Sequence, residues 1–415
     1  LIGITPRHVK KIAVGTHAQS MHEEAFKKGV DFVLLGDPEA GVSNLIEHHL
    51  DGESAAGVLT SRQHDKPAAR WDDLDTMPLP ALDLIDNRRY HSSIVRRGRR
   101  FTLLLGSRGC PFACTYCLYP TLFGSDNRTR SVRNIVDEME RDQRVFGIDA
   151  FYFLDATFNL KKSRVVEFAN EIIERGLKVE WSCNMRVSPV DTEMLTLMKK
   201  AGCDWVFYGV EDQDFLVETK KGTTREATIE AFAMTKAAGI KTIAFTMIFP
   251  RHNIAENSYA NDILRVLDLL EADAFQCNIS IPFPGTEMYD DQVRAGTADQ
   301  RWRLYDPHGH VQPYDCDVDL VKVKRQIYRG FMRRHPLRTL RVAGRMGLKA
   351  LAHTAWTFGR ENLLGAIRAG KSSPRRNRAD HPGEKIETAP TSSCSSHTTP
   401  QSGHGQQLVQ LRIGA

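Results

Sequence analysis

Along the first sixty residues short apolar runs alternate with helical patterns. Lys11–Gly15 (KIAVG) and Val30–Gly36 (VDFVLLG) read as strands, and Met21–Lys28 and Val42–Leu50 as helices with one apolar face. A β-α-β-α order predicts parallel strands in a doubly wound sheet. Two strands are too few for such a sheet, so residues 1–60 are expected to be the C-terminal half of a Rossmann-like domain; a start at Leu1 rather than Met agrees with a missing front half. Residues 61–100 read as a linker, in which Pro78 and Pro80 block regular helix. From Phe101 the pattern repeats strictly. Strands are expected at Phe101–Ser107, Ala150–Leu154, Val179–Cys183, Trp205–Val210, Lys241–Phe249 and Ala274–Ser280. Helices fall between them, near 131–147, 161–176, 191–201, 224–238 and 257–271, with Ser131 as an N-cap and Gly176, Gly202 and Gly239 just past helix ends. The fold class this predicts is α/β, with a partial (β/α)6 barrel over 101–296 whose chemistry sits at the C-terminal ends of its strands.

Beyond the barrel, residues 297–370 read as helical and basic, with nine Lys or Arg between Lys322 and Arg345. The pattern fits a solvated helical cap better than contact with a membrane surface or an acidic substrate. Residues 371–415, rich in Ser, Pro, Thr, Gly and His, are expected to be disordered. Composition changes this picture little. The chain has 415 residues, 41% hydrophobic and 26% charged, as ordinary globular proteins do, and a net charge of +5 that makes no case for nucleic acid. No apolar run reaches the ~18 residues of a membrane span, and no signal peptide is visible, so a cytoplasmic setting is expected.

The 8 cysteines carry the chemistry. Cys110, Cys114 and Cys117 crowd into Ser107-Arg108-Gly109-Cys110-Pro111-Phe112-Ala113-Cys114-Thr115-Tyr116-Cys117, spaced C-x3-C-x2-C, on the loop that follows the first barrel strand. Clustered thiolates hold iron–sulfur clusters. Three local ligands leave one iron of a [4Fe–4S] cube open to chelate an amino and a carboxylate group. The competing reading is a structural zinc site, which wants a fourth ligand; no Cys or His lies within the next fifty residues. Cys183, Cys203 and Cys277 sit in or beside expected strands and read as core fillers.

This loop resembles the signature of the radical S-adenosylmethionine (SAM) superfamily, in which the residue before the third cysteine is aromatic, here Tyr116. The resemblance runs from Phe101 to about Tyr289. It implies reductive cleavage of SAM to methionine and a 5′-deoxyadenosyl radical that takes hydrogen from the substrate. Further segments resemble the cobalamin-binding branch. These are Val14-Gly15-Thr16-His17, Gly36-Asp37-Pro38-Glu39, the Leu74–Pro80 linker, Asp155-Ala156-Thr157-Phe158 and Gly209-Val210-Glu211. By resemblance Tyr116 and Glu211 are expected to contact SAM. Asn184 and Arg186, which follow the third strand, are expected to contact it too, with an ordinary rim salt bridge as the alternative for Arg186, and Asp155 is expected to contact SAM, cobalamin or substrate, or to cap the next helix. Glu211 would hold the SAM ribose or amino group, and Arg186 the SAM carboxylate. Gly15, His17 and Gly36 are expected to contact cobalamin. The branch's Asp-x-His-x-x-Gly motif is absent from this sequence, and Ile248–Asn253 replaces a Gly-rich turn after the fifth strand.

The resemblance implies a methyltransferase for an unactivated carbon, less readily phosphorus, of a small molecule, served by an electron donor such as flavodoxin or ferredoxin. A radical oxidative cyclase is the nearest enzyme alternative, and a non-catalytic metal-binding scaffold the alternative from another class. Methylthiotransferases of tRNA share the barrel but carry an N-terminal cluster domain with no counterpart here, so no nucleic-acid partner is expected.

Overall fold

A computed structural model of the chain describes residues 5–6, 8–90, 95, 99–298, 302, 305 and 316–340. The expected disordered tail at 371–415, and 341–370 of the expected helical region, lie outside the described residues.

The N-terminal part runs β1 (Ile12–Ala13), α1 (Thr16–Ser20), α2 (His22–Lys27), β2 (Phe32–Leu34), α3 (Pro38–Glu47) and β3 (Val58–Leu59). β1 and β2 are parallel, as the alternation predicts. Two local features depart from the pattern. The helix expected over Met21–Lys28 is α2, but it is preceded by a short helix the pattern does not give, α1, which it meets at Met21, whose backbone (φ −124°, ψ 41°) leaves the helical region. A third, antiparallel strand, β3, pairs with β2. α3 begins earlier than its apolar pattern, because Pro38 at its first position has φ preset for a helix and no N–H to lose. Phe32, Leu34, Leu45, Ala55 and Val58 form the small core under this sheet.

The second part runs β4 (Phe101–Leu104), β5 (Ser107–Arg108), α4 (Tyr119–Phe123), β6 (Arg128–Thr129), α5 (Val132–Phe146), β7 (Ala150–Phe153), α6 (Lys162–Glu174), β8 (Glu180–Met185), α7 (Thr192–Lys200), β9 (Cys203–Gly209), α8 (Arg225–Ala237), β10 (Lys241–Ile248), α9 (Glu256–Leu270), β11 (Ala274–Ile279), α10 (Glu287–Arg294) and α11 (Leu320–Arg334). Six strands form one parallel sheet in the order β4-β7-β8-β9-β10-β11, the partial barrel that the repeat predicts. The short hairpin β5–β6 stands apart as an antiparallel pair with Ser107 opposite Thr129 and Arg108 opposite Arg128.

Alternation along the strands sorts the core. Phe151, Phe153, Cys183, Val206 and Tyr208 face the helices. Trp205, Phe207 and Ile243 pack with Tyr152 and Phe245 on the other face. Cys183, Cys203 and Cys277 are buried, and burial pushes the Cys277 thiol up to about 12. Such thiols are small core hydrophobes and not ligands.

Ser131 caps α5 as expected, accepting from the Asn134 N–H at 3.2 Å. The stretch read as a plain linker is tied to this cap: Asp75 Oδ1 accepts from the Ser131 N–H at 2.7 Å, and Leu74 and Leu82 are buried. α11 turns Leu320, Val323, Ile327 and Phe331 inward, and the Phe331 ring lies 4.5 Å from that of Phe275 on β11. Its basic residues lie on the other side, with Arg334 paired to Asp268. No helix among the described residues is long and apolar enough to cross a membrane.

Phe168 on α6 meets Phe153 and Trp181 edge-on at 5.3 and 5.2 Å. Phe168→Ala is expected to cost about 3–5 kcal/mol, through lost burial and an unfilled cavity. A lowered urea midpoint with unchanged slope checks this.

Candidate active site

The three cysteines lie on the loop between β5 and α4, at the C-terminal end of the first barrel strand. The loop is held at its base. Gly109 has φ +85°, and a Cβ there would stand 1.8 Å from the Asp126 carbonyl oxygen, so only glycine fits. The Cys110 N–H donates to the Gly124 carbonyl at 3.2 Å, and Asn127 Nδ2 donates to the Gly109 carbonyl at 3.2 Å. Its far end is pinned across the barrel mouth: the Thr115 N–H donates to the Thr219 carbonyl at 3.1 Å, and the Met288 N–H to the Thr115 carbonyl at 3.0 Å.

All three thiols are free, Cys110 buried and Cys114 and Cys117 half-buried. Among the described residues, His22, Glu23 and His64 in the N-terminal part bring three ligand atoms within 4.8 Å of one another. Burial raises the Cys117 thiol, and the neighbouring Cys114 and Cys110 add to the rise. Thiolates gathered this way need a cationic centre between them. Three thiols on one short loop match the ligand set of an iron–sulfur cluster with one open iron.

Beside the loop, Tyr116 donates its hydroxyl to Glu211 Oε1 at 3.0 Å, and Lys221 Nζ reaches Glu211 Oε1 at 2.9 Å and the Tyr116 oxygen at 3.2 Å. Burial, then the Glu211 carboxylate, pushes the Tyr116 hydroxyl well above its ordinary range, so it stays a donor. Glu211 follows β9 in the left-handed region (φ 57°) and is buried. The space is tight, since a Cβ on Gly209 would lie 2.5 Å from Lys221 Nζ. Tyr116 and Glu211 are therefore brought together. Lys221, which completes the group, was missed by sequence reasoning, and only its ten-residue distance from Glu211 in the chain hints at it.

The other expected SAM contacts serve the scaffold in this structure. Asp155 is buried and accepts from the Gly106 N–H at 2.8 Å and Ser107 Oγ at 2.5 Å. Burial raises its carboxyl in spite of these bonds. It fixes the approach to the cysteine loop and presents no free oxygen to a ligand. Asn184 lies within β8, not after it, and its amide reaches the Asp155 carbonyl at 3.3 Å while its Oδ1 accepts from the Tyr152 hydroxyl at 2.8 Å. Among the described residues Arg186 makes no salt bridge. Its guanidinium lies 3.7 Å over the Phe112 ring and donates to the Lys221 and Gly222 carbonyls. It clamps the cysteine loop to the loop bearing Lys221. In place of the Gly-rich turn, Arg251 bonds both oxygens of Asp212 at 2.7 and 2.8 Å, and Tyr259 donates to Asp212 at 2.7 Å.

The expected cobalamin contacts divide. Gly15 (φ +101°) faces open space, with nothing within 4 Å of where a Cβ would stand. His17 is half-exposed, 3.7 Å from Glu24, with its ring 4.8 Å from that of Trp302. Gly36 instead packs against the backbone, where a Cβ would lie 2.3 Å from the Ala69 carbonyl oxygen. The residues after it reach the cysteine loop. Arg108, two positions before Cys110, bonds Glu39 in a fork at 2.8 and 2.7 Å and Asp37 at 3.1 Å. Arg128, its cross-strand partner, bonds Asp37 at 2.5 Å. Asp37 is fully buried and accepts from the Trp71 N–H at 2.7 Å. Sequence reasoning missed these ion pairs too, although Arg108 stands inside the cysteine segment. Beside them, α3, the Pro-rich stretch and β4 wall an apolar crevice of about 700 Å³ that includes Val42, Trp71, Leu79, Leu103 and Leu154.

Burial alone would raise the Asp37 and Glu39 carboxyls. Hydrogen bonds from Arg128 and Trp71 to Asp37, and from Arg108 to Glu39, outweigh it and hold both below the usual range. A depressed carboxyl stabilises the fold above its unfolded pKa and ceases to as pH falls through its folded one. Asp37→Asn leaves the buried Arg108 with Glu39 and the buried Arg128 with only the Trp71 and Phe123 carbonyls. It is expected to cost about 3–5 kcal/mol at neutral pH, measured by urea unfolding. The variant should also lose part of the wild-type steepness of destabilisation below a pH of about 4.

Comparison with known proteins comes to the same region. A family model described as the radical SAM superfamily matches residues 104–263. An uncharacterised methyltransferase of Pyrococcus horikoshii is 27% identical over 316 residues, 73% of this chain and 67% of its own length. The hopanoid C-3 methylase of Methylococcus capsulatus is 26% identical over 317 residues, 73% of this chain. The chain spans 59% of that methylase's length. The structure of the radical SAM methyltransferase TsrM from Kitasatospora setae with cobalamin and a [4Fe–4S] cluster superposes with a TM-score of 0.54 at 19% identity, over 76% of this chain and 66% of TsrM. That likeness is one of fold.

Proposed function

We propose, for a chain that belongs to the radical SAM superfamily, that it is a cobalamin-dependent radical SAM methyltransferase acting on an unactivated carbon, less readily phosphorus, of a small molecule. The observation that carries this reading is the loop of three free thiols at the mouth of the barrel, with the Tyr116–Glu211–Lys221 group beside it. Relatives named as methyltransferases support methyl transfer as the outcome. When bound, the cluster and SAM supply a carbon radical, and cobalamin supplies the methyl group.

The chain's own residues bind and orient. Cys110, Cys114 and Cys117 hold the cluster. Glu211 offers a carboxylate for the SAM ammonium or ribose, and Lys221 neutralises that carboxylate while the site is open. Tyr116 remains a hydrogen-bond donor because its hydroxyl is buried beside an anion. Gly15 and His17 offer an unobstructed backbone and an imidazole toward cobalamin. Trp205, Phe207 and Ile243 inside the barrel keep water from the reacting carbon. A cytoplasmic setting, a flavodoxin- or ferredoxin-like electron donor and no nucleic-acid partner belong to the same reading.

The test is anaerobic. Protein with a reconstituted cluster, given SAM, reductant and methylcobalamin, should form 5′-deoxyadenosine, and Cys114→Ala should abolish it. Equal amounts from both proteins would remove the radical reading. Once a substrate is found, product mass separates methylation, which adds a fixed increment, from cyclisation, which removes hydrogens.

A further inference from the structure

The strongest feature outside the Tyr116–Glu211–Lys221 group is the buried set of charges that joins the Gly36-Asp37-Pro38-Glu39 turn to the cysteine loop. Arg108 and Arg128 stand opposite each other in β5–β6. Two cations side by side away from water are tolerated only with anions to match, and Asp37 and Glu39 are those anions. The side chains of Arg108 and Arg128 are 4% and 8% exposed and that of Asp37 is 0% exposed, so their charges act through protein with little screening by salt. Two residues of chain span at most about 7 Å, which bounds how far the Arg108 backbone lies from that of Cys110.

We propose that Glu39, acting through Arg108, is a positioning residue that lets the N-terminal part set the reduction potential of the cluster held by the cysteine loop. This rests on the cluster reading above. The charge balance at Arg108 governs how easily an electron is added nearby, because net charge around a cluster is one of the terms that fix its potential. With Glu39 in place the guanidinium is matched. Removing the Glu39 charge leaves surplus positive charge beside the cluster and favours its reduced form. Removing the Arg108 charge while Glu39 stays has the opposite effect.

The test is a potentiometric titration of the reconstituted full chain, followed by electron paramagnetic resonance. Glu39→Gln should shift the midpoint upward, Arg108→Gln should shift it downward, and the double variant should return toward wild type. Glu39→Asp, which keeps the charge, should stay near wild type. A purely structural role would move both single variants in the same direction or neither, and either result overturns the proposal. Glu39 is partly exposed and Glu39→Gln leaves the Arg108–Asp37 pair intact. If Arg108→Gln fails to load a cluster, the sign of the Glu39→Gln shift decides. A wild-type chain that binds no iron and sulfide sinks the cluster reading itself; a loaded wild type with unshifted variants sinks only this proposal.

Discussion

Arg108 is the residue on which the candidate site turns. Its guanidinium is buried in a fork with Glu39 and beside Asp37, while its backbone leads through Gly109 into the first cysteine. An unpaired guanidinium at that depth would be strongly destabilising. The hairpin β5–β6 therefore cannot form as seen unless the N-terminal turn brings its two carboxylates to it. The turn is brought there by close packing of Gly36 on the Ala69 backbone and by the Trp71 N–H bond to Asp37. One ion network thus connects a small sheet, a stretch of chain first read as a linker, and the loop that carries the chemistry.

The far side of the loop is held by different means. Arg186 covers the Phe112 ring and grips the carbonyls of Lys221 and Gly222, while backbone bonds run from Thr115 to Thr219 and from Met288 to Thr115. Asp155 locks the approach at Gly106 and Ser107. The loop is fixed at both ends before any ligand arrives, which is what a site built at strand ends needs if it is to hold a reactive centre in one place. Around it, Glu211, Lys221 and Tyr116 form a compact polar group.

Much of this was legible in the sequence, and the parts that were not share a physical reason. The barrel strands announce themselves because a parallel strand covered on both faces carries a continuous apolar run, as in Trp205–Tyr208 of β9. The cysteine loop announces itself because three thiols at that spacing have few other uses. The hairpin β5–β6 was invisible, since strands of two residues leave no period to read. So was the break at Met21, where no proline or glycine marks the turn. Asp155 and Arg186 were read as ligand contacts because their strand-end positions invite it. The structure gives them to long-range bonds with Ser107 and Lys221, 48 and 35 residues away, that no local pattern encodes. Lys221 and the pairing of Glu39 with Arg108 were missed for the same reason: ion pairs across the fold depend on where two loops meet, and single-chain patterning does not say.

The central claim is that Cys110, Cys114 and Cys117 hold a cluster with one iron free of protein ligands. The most direct measurement is electron paramagnetic resonance of the dithionite-reduced, oxygen-free protein with and without SAM, alongside iron and sulfide analysis. The account predicts about four irons and four sulfides per chain and a spectrum that changes when SAM is added. Zinc in place of iron, or a cluster spectrum indifferent to SAM, would contradict it.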